Sequence, residues 1–149
     1  MKASLHLANS TDLERLEPMV AAYHAFEGIQ SDQPARVAAL SPVLEGLPHG
    51  VVYLIGPRKA PVGYIAISFG YSIELGGIDG FIDEFFMREN IRGRGLGSEV
   101  LANLLPSLAS HGVKALHLEV SPDNARAQKL YRRAGFAVRD GYHLMTRLF

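Results

Sequence analysis

Residues 82–105, IDEFFMRENIRGRGLGSEVLANLL, constrain the fold of this chain more than any other stretch. The first part is a strand pattern carrying two adjacent carboxylates, Asp83 and Glu84. From Gly97 onward, Val100, Leu101, Leu104, Leu105 and Leu108 recur at helical spacing. Between the two stand Arg92, Gly93, Arg94, Gly95, Leu96, Gly97 and Ser98. The first amides of a helix have no internal acceptor and sit at the positive end of its dipole, and glycines there let an anion come within hydrogen-bonding distance. Guanidinium forks beside them suit phosphate oxygens. A phosphate or pyrophosphate is the natural guest of such a junction. The same glycines also serve a plain strand-to-helix connection with solvated arginines.

Two other phosphate-binding patterns fit poorly. A Walker loop needs Lys and then Ser or Thr after its last glycine, whereas Gly97 is followed by Ser98 and Glu99. A dinucleotide fingerprint needs Gly or Ala where Ser98 stands and a glycine turn hard against the strand, which RENIR separates here.

The rest of the chain continues the argument. SLHLA alternates as a short strand, and Thr11 to Glu14 has the pattern of a capping box opening a helix to about Phe26, with Gly28 as its stop. A second helix is expected over about residues 33–47, broken or kinked at Pro42. Strands follow at VVYLIG, PVGYIAISFGYSIEL and GFIDEFFM, and as consecutive strands they are expected to pair antiparallel. After the central helix, bent at Pro106 and closed by Gly112, VKALHLEV reads as a strand parallel to GFIDEFFM, because a helical crossover joins them. Asn124 to Ala134 reads as a helix with Ala127, Leu130, Tyr131 and Ala134 on one face, stopped by Gly135. FAVRDGYHLMTRLF is expected to close the chain as two short strands. Ligands of such sheets favour the carboxyl ends of the parallel strands, where the glycine junction lies.

Composition narrows the chemistry. Fifteen basic and fifteen acidic residues cancel, so no overall field draws the chain to nucleic acid or to an anionic membrane, and any anion site is local. The absence of cysteine excludes disulfides, thiolate metal sites and a cysteinyl intermediate. No apolar run approaches ~18 residues, and Asp12 and Glu14 interrupt any signal-peptide core, so a cytoplasmic protein is expected. With 149 residues and a mean hydropathy of +0.07, one domain over residues 1–149 is expected. The six histidines form no His-Glu-x-x-His pattern, His117 reads as a packed or hydrogen-bonded strand residue, and no metal is expected.

Arg92-x-x-Gly95-x-Gly97 at a helix start, followed downstream by NARAQKLYRRAGF from Asn124 to Phe136, resembles the GNAT superfamily of acetyl-CoA-dependent N-acetyltransferases. The resemblance covers most of the chain and is only general before Ile29. It implies an α/β (α+β) fold: a mixed, twisted sheet of six to seven strands flanked by about four helices, with two central parallel strands splayed to admit the pantetheine arm of acetyl-CoA. On that resemblance Phe86 and Met87 offer backbone groups to pantetheine. The amides and side chains from Arg92 to Ser98 take the pyrophosphate, and Asn124 and Ala127 contact the cofactor. Asn124 also reads as an ordinary N-cap. Dimerisation is a further expectation from the family.

Amide formation from a primary amine makes two demands. An alkyl ammonium of pKa near 10.4 is neutral only about once in ~2,500 molecules at pH 7, so a base or water relay must take a proton. Glu84 is favoured and Asp83 is the close alternative; adjacent on a strand, they are expected to point to opposite faces. The departing thiolate must gain a proton, and Tyr131, at the family's tyrosine position, is the candidate acid. Direct attack in a ternary complex is the simplest route. For the acceptor side, Tyr23, Phe26, Glu27 and Tyr142 stand among aromatics and acids that suit a cationic amine, with His24, Asp32 and Tyr71 nearby in the same set. The run around Glu84 also looks like the diamine and polyamine branch, which favours a small-molecule amine. An acceptor at a protein N-terminus or lysine, and a non-catalytic acyl-CoA sensor, are the alternatives.

Overall fold

A computed structural model describes residues 3–149. The chain divides into two compact units, residues 1–119 and 120–149.

The first unit holds a five-stranded mixed sheet in the order β1 (Leu5–Leu7), β2 (Gly50–Ile55), β3 (Gly63–Ser72), β4 (Gly77–Met87) and β5 (Val113–His117). Consecutive strands pair antiparallel up to β4, and β4 pairs β5 in parallel. The helices of this unit are α1 (Leu13–Glu27), α2 (Gln33–Leu44) and α3 (Leu96–Ser110), the last being the crossover between the parallel strands. Alternation along the strands sends side chains to two cores. Tyr64 and Phe86 join Leu16, Met19, Val20 and Leu44 of α1 and α2 on one face, while Phe85 and Met87 pack with Ile55, Ile91, Leu96 and Val100 toward α3 on the other. Gly63 permits the close approach of β3 to β4, because a Cβ there would collide with the Phe86 carbonyl oxygen.

α1 is opened differently from the expected Thr11 to Glu14 box. The box lies two residues earlier: Asn9 accepts from the Thr11 amide at 2.9 Å, and Asp12 accepts from the Asn9 amide at 2.9 Å, closing a capping box around a 3₁₀ turn at Ser10–Asp12. Asp12 wins that role because it carries a second duty. Its side chain is 0% exposed and binds Arg15 at 2.7 Å and Arg58 at 2.6 Å, so the box and a buried ion pair coincide. α2 starts at its Asp32 cap, passes through Pro42 and ends at Leu44, three residues short of the expected end. β5 stops at His117 rather than Val120.

The second unit contains α4 (Ala125–Arg133). Asn124 caps it, accepting from the Ala127 amide at 3.1 Å, and Gly135 leaves it at φ 96°. Residues 136–149 form no strand, so the expected six- to seven-stranded sheet has five strands among the described residues. The alternation in FAVRDGYHLMTRLF sets only a side-chain pattern; a strand also requires a paired backbone, and here Leu144, Met145 and Leu148 are exposed.

The Asp12 cluster generates a stability prediction. Burial pushes the Asp12 carboxyl up, but the Asn9 amide, Arg15 and Arg58 outweigh it and hold the pKa below the ordinary carboxylate value. A lowered folded-state pKa gives stability that is complete above the unfolded value of ~3.9 and is lost as pH falls through the folded value. Asp12→Asn is expected to cost about 2–4 kcal/mol in urea unfolding at pH 7. The gap from wild type is expected to narrow as pH drops below about 4. A gap that stays constant on acidification would contradict this role.

Candidate active site

β4 carries a bulge where the two carboxylates lie. Ala66 of β3 is opposite Glu84 and Ile67 is opposite Ile82, so Asp83 is an extra residue without a cross-strand partner. The bulge interrupts strict alternation at this point. Glu84 is turned toward α1, whereas Asp83 is exposed to solvent. Tyr64 Oη donates to Glu84 Oε1 at 2.8 Å, and His24 Nε2 lies 2.6 Å from Oε2. The other ring nitrogen of His24 is 2.7 Å from Ser31 Oγ. Tyr64 is 1% exposed; burial, and then the Glu84 charge, raise its phenol pKa far above the ordinary value, so it remains a donor at any working pH.

The parallel ladder of β4 and β5 ends at Phe81 and His117, which leaves residues 82–87 of β4 without a neighbour on that side. β5 is the last strand of this sheet and ends there, rather than a central strand that splays away from β4. The Arg88 amide donates to Val62 on the β3 side. Backbone groups alternate in direction along a strand, so those of Phe86 face β3 and those of Met87 face the open edge. The Phe86 side chain lies in the core with α1 and α2, and the Met87 carbonyl accepts from Arg92 Nε.

Beyond β4 comes a 3₁₀ turn at Glu89–Ile91 and then the glycine loop. Gly93 and Gly95 have φ of 81° and 75°, the left-handed region that favours glycine, and Gly95 is the N-cap of α3. The Glu99 amide is bonded to the Gly95 carbonyl at 3.1 Å, so the preceding amides of Leu96, Gly97 and Ser98 are the unbonded N-terminal donors of α3. A Cβ on Gly95 would meet nothing within 4 Å. Space, donors and dipole thus fit a phosphate-bearing group. Arg92 Nε donates to the Met87 carbonyl at 2.9 Å, and its guanidinium lies 5.3 Å from the Phe26 ring centroid and 5.7 Å from that of Phe86. The cation thus rests on a carbonyl and two aromatic faces. Arg94 is exposed.

On the acceptor side, Tyr23 packs edge-on to Tyr64 at 6.3 Å, so one of the expected acceptor residues borders the Glu84 network. Phe26 is largely exposed and carries Arg92, and Glu27 is exposed at the end of α1. Tyr64, Ser31 and Arg36 were not among the sequence candidates. Tyr64 reads as an ordinary strand aromatic, and only its register opposite Phe86 reveals that its hydroxyl reaches Glu84.

Within the second unit, Tyr131 is half-buried on α4 and stacks edge-on against Phe136 at 5.7 Å, with the Phe136 amide bonded to the Tyr131 carbonyl. Asn124 and Ala127 meet through the cap bond. Tyr142 is exposed, 4.6 Å from the Arg139 guanidinium. His117, in the first unit, pairs with Asp79 at 3.3 Å. Among the described residues no group of three or more His, Asp or Glu could hold a metal ion, and no helix is long and apolar enough to cross a membrane.

Comparison with known proteins bears on this geometry. The chain is 37% identical over 57 residues to the spermine/spermidine N(1)-acetyltransferase of Bacillus subtilis, a match covering 38% of each chain. It thus spans well under half the length of that curated relative. The structure superposes on an integron cassette protein from the mobile metagenome of Cole Harbour Salt Marsh with a TM-score of 0.82, at 30% identity, covering 97% of this chain and 89% of the other. It also shares its fold with the ribosomal-protein-alanine N-acetyltransferase of Brucella melitensis biovar Abortus, with a TM-score of 0.78 at 17% identity over 99% of this chain and all of that one. The Acetyltransferase (GNAT) family model matches residues 16–136, spanning the carboxylate strand, the glycine loop and the tyrosine helix. The chain belongs to the GNAT family of N-acetyltransferases.

Proposed function

We propose that the chain, as one domain over residues 1–149, moves the acetyl group of acetyl-CoA to the primary amine of a small molecule by direct attack in a ternary complex. One observation carries this reading. Glu84 stands on the stretch of β4 that β5 leaves unpaired, with both carboxylate oxygens already oriented by Tyr64 and His24. The unbonded amides at the start of α3 and the Met87 backbone would hold acetyl-CoA, which supplies an activated acyl thioester. Glu84 takes a proton from the acceptor ammonium, leaving a neutral amine with a free lone pair. An amide donor at the open edge near Met87 steadies negative charge on the acyl oxygen. As the C–S bond breaks Tyr131 gives a proton to the departing sulfur, and the surplus proton on the new amide nitrogen returns through solvent to the phenolate; the role of Tyr131 rests on its position in the NARAQKLYRRAGF pattern. The polyamine enzyme among the relatives supports a small cationic acceptor, and Tyr23, Phe26 and Glu27 supply the aromatic and acidic surfaces for one.

The roles separate in kinetics. Glu84→Gln is expected to lower kcat/KM with an amine acceptor by about 10²-fold at neutral pH, with partial recovery at high pH, where more of the amine is already neutral. Asp83→Asn is expected to show no such recovery, and the reverse pattern would transfer the base role to Asp83. Tyr131→Phe keeps the ring but loses the donor, so acetyl-CoA affinity is expected to survive while kcat falls by about 10²-fold. Acetyl-CoA binding with no turnover across an amine panel would favour the sensor reading instead.

The cofactor loop has its own test. Valine at Gly95 must adopt a backbone conformation that branched residues rarely take, and its side chain stands where the amides are approached. Calorimetry is expected to show weaker acetyl-CoA binding by Gly95→Val, and for Arg94→Ala a loss that shrinks as salt is added. Unchanged affinity in a folded Gly95→Val protein would exclude this loop as the cofactor site.

A further inference from the structure

The hydrogen bonds behind Glu84 run in one direction. An ionised carboxylate can only accept, so His24, 2.6 Å from Oε2, must present an N–H at Nε2. In the neutral ring Nδ1 is then bare, and it accepts the Ser31 hydroxyl at 2.7 Å. Ser31 is held from α2: Arg36 Nη1 donates to its carbonyl at 2.5 Å and lies 3.3 Å from its Oγ, while Arg36 Nε is fixed on Glu17 at 2.7 Å. A guanidinium has no acceptor, so its approach to Oγ leaves the serine hydrogen free to point at His24. The carboxylate end places the proton on Nε2, and the Arg36 contact is compatible with a serine hydroxyl that donates to Nδ1. Arg36, Glu17 and His24 are all largely buried, so water competes little for these bonds.

We propose that His24 is a positioning residue for Glu84, locked as the Nε2–H tautomer by Ser31 and Arg36 so that one carboxylate oxygen is pinned and the carboxyl cannot swing away from the acceptor. The proposal rests on the reading of Glu84 as the base. Pinning matters because Glu84 follows a bulge, where the backbone alone fixes side-chain direction less firmly than in a regular ladder. Tyr64 holds the other oxygen from β3. The remaining titratable groups around Glu84 are Tyr23 from α1, which packs on Tyr64, and Asp83 beside it on β4, while the charge of Arg36 on α2 is transmitted through Ser31. Loss of the imidazole removes the contact that His24 makes with Oε2 at 2.6 Å. Ser31 lies between α1 and α2, and the order of that connection is thereby tied to the direction of the base.

The test compares His24→Ala, His24→Gln, Ser31→Ala and Glu84→Gln in the full chain, with kcat/KM followed against pH and acetyl-CoA affinity measured separately. His24→Ala is expected to lower kcat about tenfold with acetyl-CoA affinity unchanged. It should also move the acidic limb of the profile toward higher pH, because a donor to the carboxylate has been removed. Glutamine can place an amide N–H near the position of Nε2, so His24→Gln is expected to restore most of kcat and return the limb. Nitrogen-15 NMR of the wild-type imidazole is expected to find the proton on Nε2, and Ser31→Ala should mix the tautomers. If His24→Ala fails to fold, the glutamine variant and the NMR measurement still decide. The proposal is overturned if the proton sits on Nδ1, or if His24→Gln is as impaired as His24→Ala with the limb unmoved. Wild-type activity in Glu84→Gln would instead remove the base reading on which the proposal stands.

Discussion

Strand pairing between β4 and β5 stops at Phe81 and His117 although β4 runs on to Met87, and the rest of the site depends on that loss of pairing. A strand edge left without a partner presents backbone polar groups that something must meet. In the structure Arg92 does part of this, reaching back to the Met87 carbonyl from the loop that follows the strand. The N-terminal amides of α3 follow soon after this edge in the chain, which leaves β4, makes one 3₁₀ turn and enters the helix. One break in a ladder thus places an extended backbone, a helix N-terminus and a pair of carboxylates along one short stretch of chain.

The bulge at Asp83 completes this arrangement. It shifts the register by one residue, so that Glu84 and Phe86 both face the core of α1 and α2 while Phe85 and Met87 pack toward α3. Glu84 is then the one polar side chain that β4 offers to a wall of Tyr23, His24 and Tyr64. A carboxylate in such a place needs donors to offset its lost hydration, and it has one for each oxygen. Those donors come from different elements, β3 and α1, so their agreement fixes a direction that neither would fix alone.

Much of this was legible in the amino-acid sequence. Gly93 and Gly95 announced a backbone that only glycine adopts freely, and both have positive φ. The capping role of Asn124 and the stop at Gly135 were readable because local chemistry decides them. The antiparallel run and the parallel crossover followed from element order. What failed to show were features set by partners distant in sequence. Asp12 took the capping box from Glu14 because Arg58, 46 residues away, completes its burial. The bulge has no signature in IDEFFM, since it is a relation between β4 and β3. Ser31 and Arg36 looked like ordinary loop and helix residues, and Tyr64 like ordinary core. The closing strands were anticipated from alternation alone, and residues 136–149 have the alternation without the ladder.

The central claim is that the acceptor nitrogen is delivered to Glu84 at the open edge of β4. A crystal structure with an amine-CoA bisubstrate analogue tests this most directly. The account predicts the amine nitrogen within hydrogen-bonding reach of Glu84, directly or through one water, with the CoA pyrophosphate on the amides of Leu96, Gly97 and Ser98. An amine nitrogen held by Asp83 on the solvent side, with Glu84 still closed against His24 and Tyr64 and out of reach, would contradict it.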